Sequence, residues 1–352
     1  MIPIGIVAVS GVVSKTVLSP TVSLTNFNAY TNNITVNVPV GMSATNYILE
    51  SSSSSSGPWT IVYQGASSTY QHTGLIQDTA YFYRARYSNA NNLFSYSSIS
   101  NTVSTRQESA KTSIFTTSTN FVKPIGVTNI SYLMIGAGGK GGNSYWNNVF
   151  GESRIAGGGG GAGQLITSQS YSVPEAQTTY PITAGVASNT TFLSQTAIKG
   201  GDGSSNNAGS NGSHGGGGGG TYTESGQTIW SPGSSTIGGY SGGVGFANGN
   251  QNIASGGGGG GTGSVGGNYN AVFYYAGSGG SGTTVSLNGN SYTVGSGGSG
   301  GASSYSNSGA NQPNSTGYGN GGNAANAGNV GKGTTYTGGN GSTGAVIVSW
   351  LD

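Results

Sequence analysis

"ISYLMIGAGGKGGNS", residues 130–144, decides how this chain is read. A run of strand-forming residues, Ile130 to Ile135, meets Gly136-Ala-Gly138-Gly-Lys140-Gly141. Taken literally, this is G-x-G-x-x-G after a strand, the spacing of a dinucleotide-binding loop. That reading needs a helix to start at the loop, so that its first N–H groups meet a pyrophosphate. The chain continues instead as "GGNSYWNNVFGESRIAGGGGGAG", which has no 3.6-residue apolar period and closes in a five-glycine run. Each glycine inside a helix costs about 0.8–1 kcal/mol relative to alanine. No helix is expected here. In a chain this rich in glycine, the motif also arises by chance.

The glycines point elsewhere. Residues 1–110 hold six of them, and the other 64 of the 70 lie beyond. Three runs are pure glycine: 157–161, 215–220 and 256–261. Disorder is the bland reading of such composition. Apolar strands at both ends of the region, many tyrosines and a lack of charge argue against it. Polyproline II helices have three residues per turn and no internal hydrogen bonds. Their N–H and C=O groups point outward, and only glycine lets such helices pack on every face. Five or six glycines suit a central helix. Mixed runs such as "GSGGSGG" (295–301) suit outer ones. The expected fold is therefore all-β plus irregular. A β-sandwich comes first, then a β-framed domain of packed polyglycine II helices. The opening motif becomes a strand running into the first glycine helix.

The expected organisation is an N-terminal arm over 1–19, a sandwich over 20–107 and the glycine-rich domain over 108–352. The arm, "MIPIGIVAVSGVVSK", is apolar, lacks a preceding basic region and is too short to span a bilayer as a helix. It reads as a segment for attachment or oligomer pairing. In the second region, "ITVNVPV" (34–40), "NYILESS" (46–52), "WTIVYQG" (59–65), "AYFYRARYS" (80–88) and "ISNTVST" (99–105) alternate with period two. The serine run 51–56 reads as a flexible hairpin loop. His72, within the strand-like "TYQHT" (69–73), reads as a satisfied or surface histidine.

Within that region, "GLIQDTAYFYRARYSN" (74–89) resembles the E–F corner and strand F of a fibronectin type III domain. Leu75, Thr79, Tyr81, Arg84 and Arg86 carry the likeness, and "NYILESSSSSSGPWTIVYQG" (46–65) is similar to the family's C–C′ hairpin. The resemblance implies that Tyr81 ties its hydroxyl back to the turn. Gln77 stands where proline is common, and a strand-B tryptophan is absent.

Charge narrows the function. Only 5% of residues are charged, against about 25% in typical soluble domains. The net +2 comes from scattered residues, so nothing here would neutralise a nucleic-acid backbone. Cysteine is absent, which excludes disulfides and thiolate chemistry. Metal-ligand spacing and cofactor motifs are missing. Glu152, Glu175, Asp202 and Glu224 form no close pair in sequence, and His214 has no evident partner. The sequence points away from an enzyme, a cofactor, a metal, nucleic acid and membrane insertion.

Between glycine stretches lie glycine-poor excursions: 143–156, 221–237, 268–278 and 304–319. Helices running up and down would present them as loops on a rigid scaffold, where binding residues collect. Their Tyr, Trp, Asn, Ser and Gly supply rigid aromatic area with neutral hydrogen-bonding groups. That vocabulary suits a glycan. The candidate contact residues are Tyr145, Trp146, Tyr222, Trp230, Tyr269, Phe273, Tyr274 and Tyr275.

The entry "FTTSTNFVKPIGVTNISYLMIGAGGKGG", the pure glycine runs and the exit "GAVIVSW" resemble the glycine-rich domain of bacteriophage tail-fibre adhesins. The resemblance implies a virion receptor-binding protein whose loops meet a host cell-surface glycan or outer-membrane protein. It implies attachment to other virion tail proteins through the N-terminal region. A homotrimer and a monomeric tip both stay open. The alternative is a structural virion decoration or connector without receptor specificity.

Overall fold

The computed structural model describes residues 19–28, 31–39, 44–88, 97, 103–105, 109–147, 153–223, 227–249, 253–270, 275–303, 312–327 and 334–351. Of the arm expected over 1–19, residues 1–18 lie outside them. Contacts divide the chain into two units, at residues 109 and 110.

The first unit is a two-sheet sandwich. Its strands are β1 (Thr21–Asn28), β2 (Thr31–Asn37), β3 (Asn46–Ser52), β4 (Thr60–Gly65), β5 (Thr69–His72), β6 (Ala80–Ser88) and β7 (Val103–Ser104). One sheet has the order β1-β2-β5 and the other β4-β3-β6-β7. Alternation along β6 buries Tyr83, Ala85 and Tyr87, which meet Leu49, Tyr47, Ile34 and Val36 in the core. The Ile76 N–H donates to the Tyr81 hydroxyl at 3.0 Å, closing the corner. The strand expected over 34–40 runs three residues earlier, because Pro39 has no N–H for a ladder. The serine run is more ordered than a flexible loop. Ser51 and Ser52 are buried strand residues, and the Ser54 N–H donates to Ser52 Oγ. His72 Nδ1 lies 3.0 Å from the Tyr83 hydroxyl, so this histidine is satisfied.

The second unit is framed by β8 (Ala110–Phe115), β9 (Thr119–Val122), β10 (Asn129–Ile135), β13 (Leu165–Ser172), β14 (Thr179–Ile182), β15 (Thr190–Phe192), β16 (Gln195–Ala197), β21 (Thr283–Leu287), β22 (Asn290–Val294) and β25 (Ala345–Leu351). The main sheet, β13-β10-β25-β8, is antiparallel. It is covered on both faces, which is why "ISYLMI" reads as a continuous apolar run. Ile130, Tyr132 and Met134 pack with Phe121, Tyr180 and Phe192 on one side. Leu133 and Ile135 pack with Leu287 and Val294 on the other.

From this frame the chain runs back and forth through the glycine segments. The 157–164 segment shows their geometry. Gly158, Gly161 and Gln164 donate to Ser204, Gly201 and Ile198; Gly159 and Ala162 donate to Gly257 and Gly260; Gly160 and Gly163 donate to Gly322 and Gly319. Every third N–H meets the same neighbour, as a three-residue turn requires. Its carbonyls accept from three further segments, through Gly139, Gly217 and Gly298. This helix therefore has six neighbours. The 215–220 and 256–261 runs are surrounded in the same way. A Cβ on Gly159 would overlap the Gly298 carbonyl, and one on Gly258 would overlap that of Ser278. These glycines are present because side chains have no room.

The stretch at 136–142 belongs to this lattice. The N–H groups of Gly136, Gly138, Gly139 and Gly141 donate to carbonyls of Gln164, Ser342, Gly161 and Gly339. The donors that would cradle a phosphate are already engaged.

Candidate recognition surface

Away from the frame, the glycine helices end in short strands: β11 (Ser144–Asn147), β12 (Ser153–Ala156), β17 (Gly220–Thr223), β18 (Gln227–Trp230), β19 (Gly245–Asn248), β20 (Ile253–Ser255), β23 (Ala302–Ser303) and β24 (Thr335–Tyr336). They form two sheets, β17-β12-β11-β24 and β18-β19-β20-β23. Ala156, Ala247 and Ala254 pack together between them, small enough to continue the close spacing of the lattice. Residues 148–152, 224–226, 250–252, 271–274, 304–311 and 328–333 fall between these strands in sequence. They lie outside the described residues, and with them Phe273 and Tyr274.

The remaining candidates come from three separate excursions and gather here. Tyr145 and Trp146 are on β11, Tyr222 on β17 and Trp230 on β18. Tyr269 and Tyr275 flank the 271–274 connection, with the Asn270 N–H bonded to the Tyr275 carbonyl at 2.9 Å.

Their exposures differ. Trp146 is only 1% exposed, which corrects its expected place on a contact surface. Register sets it opposite Arg154, whose guanidinium lies 4.8 Å from the ring centroid. Both side chains are buried, and the pair holds the sheet from within. Tyr145, on the other face of β11, is half-buried. Tyr269 stacks on Phe246 with centroids 4.5 Å apart and planes 10° apart. Trp230 is half-buried opposite Gly245, which offers it no side chain. Tyr275 is 68% exposed.

Two residues not singled out in the sequence join them. Ile229 is 62% exposed and is the register partner of Phe246. Phe246 itself is buried, and Ile229 and Tyr269 pack beside it nearer the surface.

Glu152 and Glu224 lie outside the described residues, and Glu175 is exposed between β13 and β14; Asp202 and His214 belong to the lattice. Asp202 Oδ1 accepts from the Lys140 N–H at 2.9 Å and from Lys199 Nζ at 3.4 Å. His214 is buried, with Nδ1 3.3 Å from the Ala162 carbonyl oxygen and its ring stacked on Tyr240. Burial lowers its pKa, and the Ala162 contact opposes that shift. Among the described residues, no group of three His, Cys, Asp or Glu could hold a metal ion.

The chain is similar to solved structures of titin and fibronectin type III domains. Titin domains A168–A170 share 26% identity over 25% of this chain and 32% of theirs, with a TM-score of 0.24. The chain therefore spans about a third of the titin fragment it matches. The sixth fibronectin type III domain of human fibronectin type III domain containing protein 3 shares 23% identity over 26% of this chain and 86% of its own, with a TM-score of 0.23. No curated protein sequence matches. The second unit matches the family described as glycine-rich domain over residues 113–351, and the chain belongs to that family.

Proposed function

We propose that this chain is a bacteriophage receptor-binding protein, a tail-fibre adhesin that reads a host cell-surface glycan or outer-membrane component. One observation carries the reading. Aromatic residues from three separate excursions converge at one end of a lattice whose other end is closed by a β-frame. A lattice with six neighbours per central helix is a rigid platform. Rigid aromatic area beside neutral amides and hydroxyls suits a sugar, whose C–H faces stack while its hydroxyls form hydrogen bonds. The N-terminal region would join the protein to other tail components, placing it on the virion exterior.

Binding of fluorescently labelled full chain to a panel of bacteria tests this. Selective binding to a narrow group of cells is expected. It should fall at least about tenfold for Tyr275→Ala combined with Trp230→Ala, a loss of about 1.4 kcal/mol. Absence of binding to every candidate host would sink the reading and favour a decoration or connector role.

A further inference from the structure

The frame carries a cleft, remote from the aromatic end. It lies between the β13–β14 connection and the β15–β16 hairpin and has a volume of 580 Å³. Small-molecule sites span about 300–1,000 Å³.

Its lining combines two kinds of surface. Tyr171 provides accessible ring area, backed by the buried rings of Tyr180 and Phe192, and Gln177, Gln195 and Thr191 provide neutral hydrogen-bonding groups. The rings are held in place. Tyr171 meets Tyr132 edge-on at 5.9 Å, and Tyr132 meets Phe192 edge-on at 5.6 Å. The Tyr132 hydroxyl donates to Gln195 Oε1 at 3.2 Å, which fixes the amide and leaves its NH2 group for another acceptor. Gln177 Nε2 donates to the Thr179 carbonyl at 3.2 Å, leaving its oxygen to accept. None of the lining residues is charged.

The hairpin at the rim is strained. Phe192 pairs with Gln195, so Leu193 and Ser194 form a two-residue turn with φ values of 50° and 60°. Such turns favour Asn-Gly, and neither Leu nor Ser is at ease in the left-handed region. Leu193 packs on the core while Ser194 is exposed at the rim. Non-glycine residues held at positive φ gather at ligand clamps and active sites.

We infer that this cleft binds a neutral saccharide, with Tyr171 as the stacking face and Gln177 and Gln195 as hydrogen-bonding groups. An anionic sugar would meet no cation there, and a purely apolar ligand would make no use of the two amides. The inference is independent of the aromatic end, which lies across the lattice.

Saturation-transfer NMR on the full chain tests it. The probes are methyl glycosides of glucose, galactose, mannose and N-acetylglucosamine, with glucuronate as the charged comparison. Transfer to at least one neutral glycoside is expected, with affinity reduced at least about tenfold in Gln177→Ala/Gln195→Ala. Both glutamines are exposed, but Gln195→Ala also removes the acceptor of the Tyr132 hydroxyl, so melting curves check the fold and Gln177→Ala alone, which leaves that bond in place, should also weaken binding. Tyr275→Ala should leave this binding unchanged even if it abolishes cell attachment. The inference is overturned if no neutral glycoside responds, if the double variant binds as well as the parent, or if glucuronate binds more tightly.

Discussion

Asn323 accepts the backbone N–H of Ser299 on its side-chain oxygen at 3.0 Å, where a neighbouring helix would otherwise supply a carbonyl. The arrangement repeats. Asn320 serves Ser296 at 2.8 Å and Asn326 serves Ala302 at 2.9 Å. Both series advance by three residues, one turn of a polyproline II helix. The carboxamides form a ladder that satisfies N–H groups at the lattice edge. Without them these donors would face solvent or recruit another chain.

Replacing Asn323 with alanine should therefore cost more than a surface change. It removes the acceptor for both the Ser299 N–H and its hydroxyl. A loss of about 1–3 kcal/mol in the second unit is expected, read by denaturant unfolding. Asn323→Asp keeps the acceptor oxygens and should recover most of that loss. Equal damage from both variants would refute the ladder.

Glycine at the centre of the lattice is a requirement of space. Gly159→Ala would push a methyl group into the Gly298 carbonyl, backbone against backbone. Overpacking typically costs about 1–3 kcal/mol, and a backbone obstacle places this variant at the upper end or beyond. Ser296→Ala, on a half-buried position of an outer helix, should stay within about 0.5 kcal/mol. Thermal unfolding of the two variants side by side would separate packing from composition.

Ser194→Gly should have the opposite sign. The native φ of 60° is natural to glycine and costs an L-residue about 1–2 kcal/mol. Part of that gain is offset by the greater freedom of glycine in the unfolded chain. A net stabilisation of about 0.5–1 kcal/mol is expected in denaturant melts. A destabilised variant would show that the turn is not strained.

These variants also show what the sequence reveals and what it hides. Strand "AYFYRARYS" was legible because inward and outward residues alternate strictly along it. The lattice was legible because uninterrupted glycine admits few other packed forms. The Asn ladder was present as "NGGNAAN" beside "SGGSGGA", but a period of three acquires meaning only when the two helices are known to be neighbours. Trp146 looked like a loop aromatic. Its burial depends on a cross-strand partner, Arg154, that only the register supplies. The cleft was invisible for a similar reason. Its walls come from separate segments, and Leu-Ser carries no turn signature.

The tyrosine corner offers a test confined to the first unit. Tyr81→Phe keeps the ring and removes the acceptor for the Ile76 N–H. A loss of about 0.5–1.5 kcal/mol is expected, with the unfolding of the second unit unchanged. Calorimetry should show one transition moving alone. A shift in both would mean that the units unfold as one.

Acid should weaken each unit through its one histidine, since His72 and His214 are the only two in the chain. Burial lowers the pKa of His72 below 6.5. Its neutral ring is held against the Tyr83 hydroxyl, with the Tyr70 and Tyr81 rings nearby. Below pH 6.5 the unfolded chain binds a proton that the folded unit resists. The stability contributed by this group is therefore complete above 6.5 and declines as the pH falls through the folded-state value. His72→Phe should lower the stability of the first unit at neutral pH by removing the Tyr83 contact. It should also flatten the acid dependence of that unit and leave the slope of the second unit intact. Melting curves across a pH series spanning 6.5 would read both slopes. An unchanged acid slope in the first unit would rule out His72 as its source.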